Sequence, residues 1–123
     1  MIVLPPIKLG TLSHCLLIQI SNNGVGVTGI SAPVVHLGTA FGEVAQFSGS
    51  HVQPIQSLGT FQQPTSASYC RWREVDAVNL PGIYELYLHD SYFATGNELL
   101  VRAKPASGSP TTEDVYHYIP LVP

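Results

Sequence analysis

Gly82-Ile83-Tyr84-Glu85-Leu86-Tyr87-Leu88 is the stretch that decides the fold. Tyr84, Leu86 and Leu88 fall on one face, Glu85 and Tyr87 on the other, the period-two alternation of a half-buried strand. A run over 97–104 repeats the pattern, with Leu99, Val101 and Ala103 alternating against Glu98, Leu100, Arg102 and Lys104, as in a strand with one face on a core. Upstream, Leu12, His14, Leu16, Ile18 and Ile20 share one face of a run that stops at Asn22-Asn23-Gly24, a turn signal able to supply positive φ. Further strands are expected over 33–37, over 69–76 and over 113–121; in the second, Cys70 and Trp72 face one way and Arg71 and Arg73 the other. No segment sustains a helical period. Short strands punctuated by Gly and Pro turns, without intervening helices, predict an all-β fold, an immunoglobulin-like antiparallel β-sandwich of about seven strands.

Within that frame Asn79-Leu80-Pro81-Gly82-Ile83-Tyr84 carries a finer signal. A Gly-x-Tyr at the start of a strand suits a tyrosine corner, in which the hydroxyl bonds back to nearby backbone, and it suits an ordinary buried tyrosine equally well. Trp72, Pro81, Gly82 and Tyr84 are therefore expected to be structural residues.

The chain has 123 residues, enough for one core that buries roughly two thirds of the unfolded surface. Charged residues make up 11% and apolar ones 45%, which is not the composition of a disordered chain. A net charge of −3 with only 5 Lys and Arg lacks the basic footprint that a phosphate backbone requires, so nucleic acid is not expected as a partner. No run approaches the roughly 20 apolar residues of a membrane span. The first ten residues are apolar but carry Pro5-Pro6 and lack both a basic leader and a small-residue cleavage site, so they do not read as a signal peptide. The expectation is a chain kept in the cytosol or released by lysis, in which Cys15 and Cys70 need not pair.

Residues 1–11 read as an N-terminal arm and 12–123 as one sandwich domain. Between 38 and 68 the alternation weakens, and Glu43 is the one charged side chain among Phe41, Phe47, Ile55, Leu58, Phe61 and several Gln. That is too long for a plain loop and too apolar for simple disorder. One or two irregular strands and a contact surface are expected there.

Chemistry is sparsely signalled. The histidines at 14, 36, 51, 89 and 117 show no metal-ligand spacing, and no Cys-x-x-Cys or His-Glu-x-x-His occurs, so no metal site is expected. His14, His36 and His117 read as strand residues satisfied by a carbonyl or facing solvent. Cys15 and Cys70 are expected on different faces, as inert thiols rather than nucleophiles. Glu74 with Asp76, and Glu113 with Asp114, are expected as solvated carboxylates rather than calcium ligands. Phosphate-cradling loops and a nucleophile elbow are absent. No catalytic residue and no cofactor is expected.

The outward tyrosines invite two readings. Tyr87, Tyr116 and Tyr118 could stack on sugar rings, making the chain a carbohydrate-binding module, or could be buried against another subunit, where Tyr is enriched. The subunit reading is preferred, because the charge-poor middle and the apolar Ile2-Val3-Leu4-Pro5-Pro6-Ile7 also look like docking surface. The expected protein contacts are Ile2, Leu4, Ile7, Phe41, Phe47, Ile55, Phe61, Tyr87, Tyr116 and Tyr118.

Three stretches carry a family resemblance: Ile7-Lys8-Leu9-Gly10-Thr11, then Gly24-Val25-Gly26-Val27-Thr28-Gly29-Ile30, then Trp72-Arg73-Glu74-Val75-Asp76-Ala77-Val78-Asn79-Leu80-Pro81-Gly82-Ile83-Tyr84-Glu85-Leu86, with a closing strand at Asp114-Val115-Tyr116. In these the chain resembles small virion proteins of tailed bacteriophages. The likeness spans most of the length and is weak from Thr39 to Ser68. It implies an immunoglobulin-like or baseplate-module-like sandwich in a virion and no catalytic residues. A capsid decoration or cement protein is the first expectation; a tail, neck or baseplate protein of the same particle is the second. The implied partners are other virion proteins, the major capsid protein above all. Further copies of the chain are also implied, a homotrimer at local three-fold positions being a natural arrangement.

Overall fold

Residues 1–38 and 52–123 are described by the structure, a computed structural model, and nearly all of their regular secondary structure is strand. Six strands of five residues or more carry the architecture: β3 (Cys15–Gln19), β6 (Pro33–Gly38), β8 (Cys70–Asp76), β9 (Leu80–Leu88), β10 (Glu98–Pro105) and β11 (His117–Val122). Five two-residue strands accompany them: β1 (Ile2–Val3), β2 (Ile7–Lys8), β4 (Ser21–Asn22), β5 (Val25–Gly26) and β7 (Val52–Gln53). One 3-10 turn spans Asp90–Phe93. Of the expected contact residues, Phe41 and Phe47 lie outside the described residues.

The alternating run 82–88 becomes the centre of one sheet, in the order β3-β9-β8 and antiparallel throughout. The facing sheet runs β1-β11-β10-β6-β7, with β2 also on β11. Leu16, Ile18, Cys70, Trp72, Tyr84, Leu86 and Leu88 point from the first sheet into a core completed by Val35, Leu37, Leu99, Val101, Ala103, Ile119 and Leu121 from the second. The fold is thus an all-β sandwich. Its pairing is immunoglobulin-like: β3, β9 and β8 take the places of strands B, E and D, while β6, β10 and β11 take those of C, F and G.

The outermost segments differ from expectation in instructive ways. β3 begins at Cys15 rather than Leu12, because Ser13 sits at φ 53° with its N–H donated to Asp90 Oδ1 at 2.8 Å, and Leu12 is left exposed. β11 begins at His117, since Glu113 donates its N–H to the Ser21 carbonyl (2.8 Å) and Asp114 turns to Arg102 and Lys104 at 3.6 and 4.0 Å. The N-terminal arm is not free but stitched into the sheet. β1 and β2 pair parallel with β11, and Ile7, expected as a contact residue, is only 4% exposed within the chain's own core.

Tyr84 is not a tyrosine corner. It lies on β9, the E-like strand, where a corner belongs to the F-like one. Its hydroxyl donates to the Val27 carbonyl at 2.7 Å and accepts from the Ile30 N–H at 3.2 Å. Trp72 stacks on its ring at 4.7 Å and donates Nε1–H to the Ile30 carbonyl at 2.8 Å. Two core aromatics thereby satisfy three backbone groups of residues 27–30, a link that buried backbone requires and local sequence does not encode.

Beside them Gly26 and Gly82 bring two backbones together. A Cβ on Gly26 would lie 2.0 Å from the Pro81 carbonyl oxygen, and one on Gly82, at φ +85°, would lie 2.5 Å from the Ile20 oxygen and 2.7 Å from Gly26 Cα. The Asp76 to Asn79 turn then closes the β8–β9 hairpin, with Asp76 Oδ1 accepting the N–H groups of Val78 and Asn79, both at 3.0 Å. Hydrogen bonds from Asn79, side chain and backbone, and from the Val78 N–H favour the ionised carboxylate and hold its pKa below the ordinary value.

Candidate functional site

The outer face of β8 and β9, which carries Arg71, Arg73, Glu85 and Tyr87, does not simply meet solvent but is roofed by the chain's own residues 55–65. Arg71 is only 7% exposed; its guanidinium donates to the carbonyls of Gln56 and Thr60, anchoring the roof from below. Phe61 lies 4.1 Å from the Arg73 guanidinium and 5.3 Å from the Tyr87 ring. Arg73 in turn donates to Glu85 at 2.7 Å. Ile55 bridges to Cys70 and packs on the core. Ile55, Phe61 and Tyr87, all expected to contact other proteins, are thus engaged within the chain.

Tyr116 and Tyr118 lie on the outer side of the other sheet, so the three tyrosines form no common row. Arg102 sits 5.7 Å over the Tyr116 ring, and a hydrogen bond from Tyr118 to Glu98 is the main cause that raises the Tyr118 pKa. Both rings remain partly exposed.

The described residues gather no reactive centre of the usual kinds. No group of three or more His, Cys, Asp or Glu side chains converges among them as a metal site would require. The carboxylates are met by the chain's own donors: Glu74 accepts from Gly29 N–H at 3.3 Å and Glu113 from Gly24 N–H at 3.3 Å. Burial pushes the Cys70 thiol up to about 12. Burial and the nearby Glu85 charge push Cys15 up to about 11. At pH 8 each is then almost wholly protonated and slow to react. Iodoacetamide at pH 8 is expected to leave both thiols of the native chain largely unmodified and to label both after denaturation, read by intact mass. Rapid labelling of native Cys15 would contradict this.

What the geometry does offer is a seam. Where the N-terminal segment crosses from β1 to β2, Leu4, Pro5, Pro6 and Ile7 form one wall of a cleft of about 280 Å³ and His14, Cys15, Leu16 and Leu17 the other. Leu17 of that second wall is 54% exposed, and Met1, Val3 and Leu12 on the same two chain segments are exposed as well. No charged residue occurs between Lys8 and Glu43. β3 is the outer strand of its sheet. Its odd positions direct backbone groups away from β9, as the Gln19 N–H shows by donating to His117 Nε2 at 3.0 Å. Ile2 and Leu4 lie half-buried in this region, in keeping with the apolar run that carries them. Leu12 and Leu17 join them as surface residues that sequence reasoning misses. Leu17 has a readable signal, a leucine on the outward parity of a strand; Leu12 has none, because its spacing places it on the inward face.

Comparison with protein-family models, with curated proteins and with solved structures finds no match.

Proposed function

We propose that the chain is a structural protein of a bacteriophage particle, a decoration or cement subunit that stabilises the shell by contacts with the major capsid protein and with further copies of itself. The observation that carries the reading is the uncharged seam. Exposed aliphatic side chains scattered singly are ordinary, but here Leu4, Ile7, Leu16 and the exposed Leu17 line one apolar cleft together with Pro5 and Pro6, and no charged residue occurs between Lys8 and Glu43. Patches of this kind mark protein contacts. The resemblance of residues 72–86 to tailed-phage virion proteins supplies the particle. A rigid sandwich on a repeating lattice gains avidity from many modest contacts, so no single deep site is needed.

Copy number tests the reading. Quantitative mass spectrometry of purified particles of the encoding phage is expected to find roughly one hundred copies or more per particle, a stoichiometry that tracks the major capsid protein. A handful of copies would shift the assignment to the tail, neck or baseplate. Absence from the particle would overturn it.

A further inference from the structure

His117 is driven wholly inside, 1% exposed, and no step of the proposed role uses it. It stands on β11 between β10, through Val101, and β1, through Ile2. Its ring reaches across the sandwich. The Gln19 N–H of β3 donates to Nε2 at 3.0 Å, so Nε2 carries the lone pair and the proton of the neutral ring sits on Nδ1. Nδ1 is buried and has no hydrogen-bond partner. The ring is therefore a single clip between two sheets, and it holds only in one protonation state: an imidazolium would turn Nε2 into a donor facing the donor of Gln19 and would bury an uncompensated charge.

We propose that His117 is an acid-sensitive latch whose protonation breaks the β3–β11 contact and frees the N-terminal strand β1 while the rest of the sandwich stays folded. β1 is the element poised to leave, because it is two residues long and held by Ile2 N–H to the Tyr116 carbonyl and Leu4 N–H to the Tyr118 carbonyl, both at 2.8 Å and flanking His117. Its departure would widen the apolar seam on which the proposed contacts rest, although the latch itself does not depend on the particle assignment.

The groups around the ring push the same way. β1 brings the positive amino terminus; β3 offers its Gln19 N–H to the ring, while its Cys15 thiol is turned to Glu85 and the adjoining His14 packs on Phe93; and β10 sets the uncharged Val101 opposite His117. Glu98, Arg102, Lys104, His36, Tyr116 and Tyr118 point to the outer face of their sheet, by strand alternation. Burial first, then the amino-terminal charge, brings His117 down to about 4 from an ordinary 6.5. A base depressed in the folded state contributes its full stabilisation above pH 6.5 and loses it progressively as pH falls toward 4, where the open form binds the proton that the closed form refuses.

The test is amide exchange of the full-length chain, followed by NMR and normalised to intrinsic rates, from pH 7 to pH 4. Protection at Ile2, Leu4 and Gln19 is expected to fall on the order of 100-fold across that range, ahead of core amides such as Leu86. In His117→Gln, whose side-chain oxygen can accept from Gln19 N–H without titrating, the pH profile should be flat, whereas His36→Gln should behave as the native chain. Should His117→Gln fail to fold, the imidazole signals of the native chain decide: a neutral Nδ1–H ring persisting below pH 5 supports the latch. Titration of His117 near 6.5, or an unchanged pH profile in a folded His117→Gln, would overturn it.

Discussion

Gly82→Ala is expected to cost about 2 to 5 kcal/mol of a total stability on the order of 10 kcal/mol. Two independent penalties meet at the site. The backbone is in the left-handed region at φ +85°, which costs an L side chain about 1 to 2 kcal/mol. The added methyl would also press on the Ile20 oxygen and on Gly26 Cα, backbone atoms that cannot swing aside, and overpacking of this kind adds typically about 1 to 3 kcal/mol. Gly24→Ala separates the two terms: Gly24 has φ +78° and open space around it, so only the first applies and a loss of about 1 kcal/mol is expected. Urea unfolding followed by the single Trp72 reads both. Equal losses for the two variants would mean that the close approach of residues 26 and 82 does not exist.

Tyr84→Phe comes next, with an expected loss of about 2 to 4 kcal/mol from the removal of one oxygen atom. The ring would remain stacked on Trp72, so the loss is not a cavity. It arises because the Val27 carbonyl and the Ile30 N–H would be left inside the protein without their partner, at about 1 to 3 kcal/mol each if water cannot reach them. The same logic predicts that Trp72→Phe, which strands the Ile30 carbonyl, is not additive with Tyr84→Phe, since the two act on one loop. Exchange of the Ile30 amide should quicken in Tyr84→Phe before core amides do. A loss below about 0.5 kcal/mol would show that residues 27–30 are not held by the hydroxyl.

Where alternation is local, the sequence is enough to place a residue. Tyr84, Leu86 and Leu88 face inward as their spacing demands, Cys70 and Trp72 share the core, and the turn at Asn22 to Gly24 ends its strand. Parity along a strand, however, says only which side of a sheet a residue is on. It does not say what covers that side. Arg71, outward by parity, does point away from the core and is buried nonetheless, because residues 56–60 return over it. His117 has inward parity, and whether an inward histidine meets a carbonyl or a donor depends on a strand nearly 100 residues away. The N-terminal segment reads as an arm outside the sandwich because two-residue strands leave no periodic trace. The proposed docking seam is mostly visible, in its lack of charge, in Ile2 and Leu4 and in the outward parity of Leu17, whereas Leu12 is exposed only because Ser13 leaves the strand at a positive φ.

The proposal that the apolar seam is covered in a phage particle is tested most directly by add-back. Particles from a phage deleted for the gene are mixed with the purified chain, and bound copies and thermal release of DNA are measured together. Saturable binding at a number of sites set by the capsid lattice, with release shifted to higher temperature, is the predicted result. Deleted particles that neither bind the chain nor differ from native ones in composition and heat resistance would contradict the account.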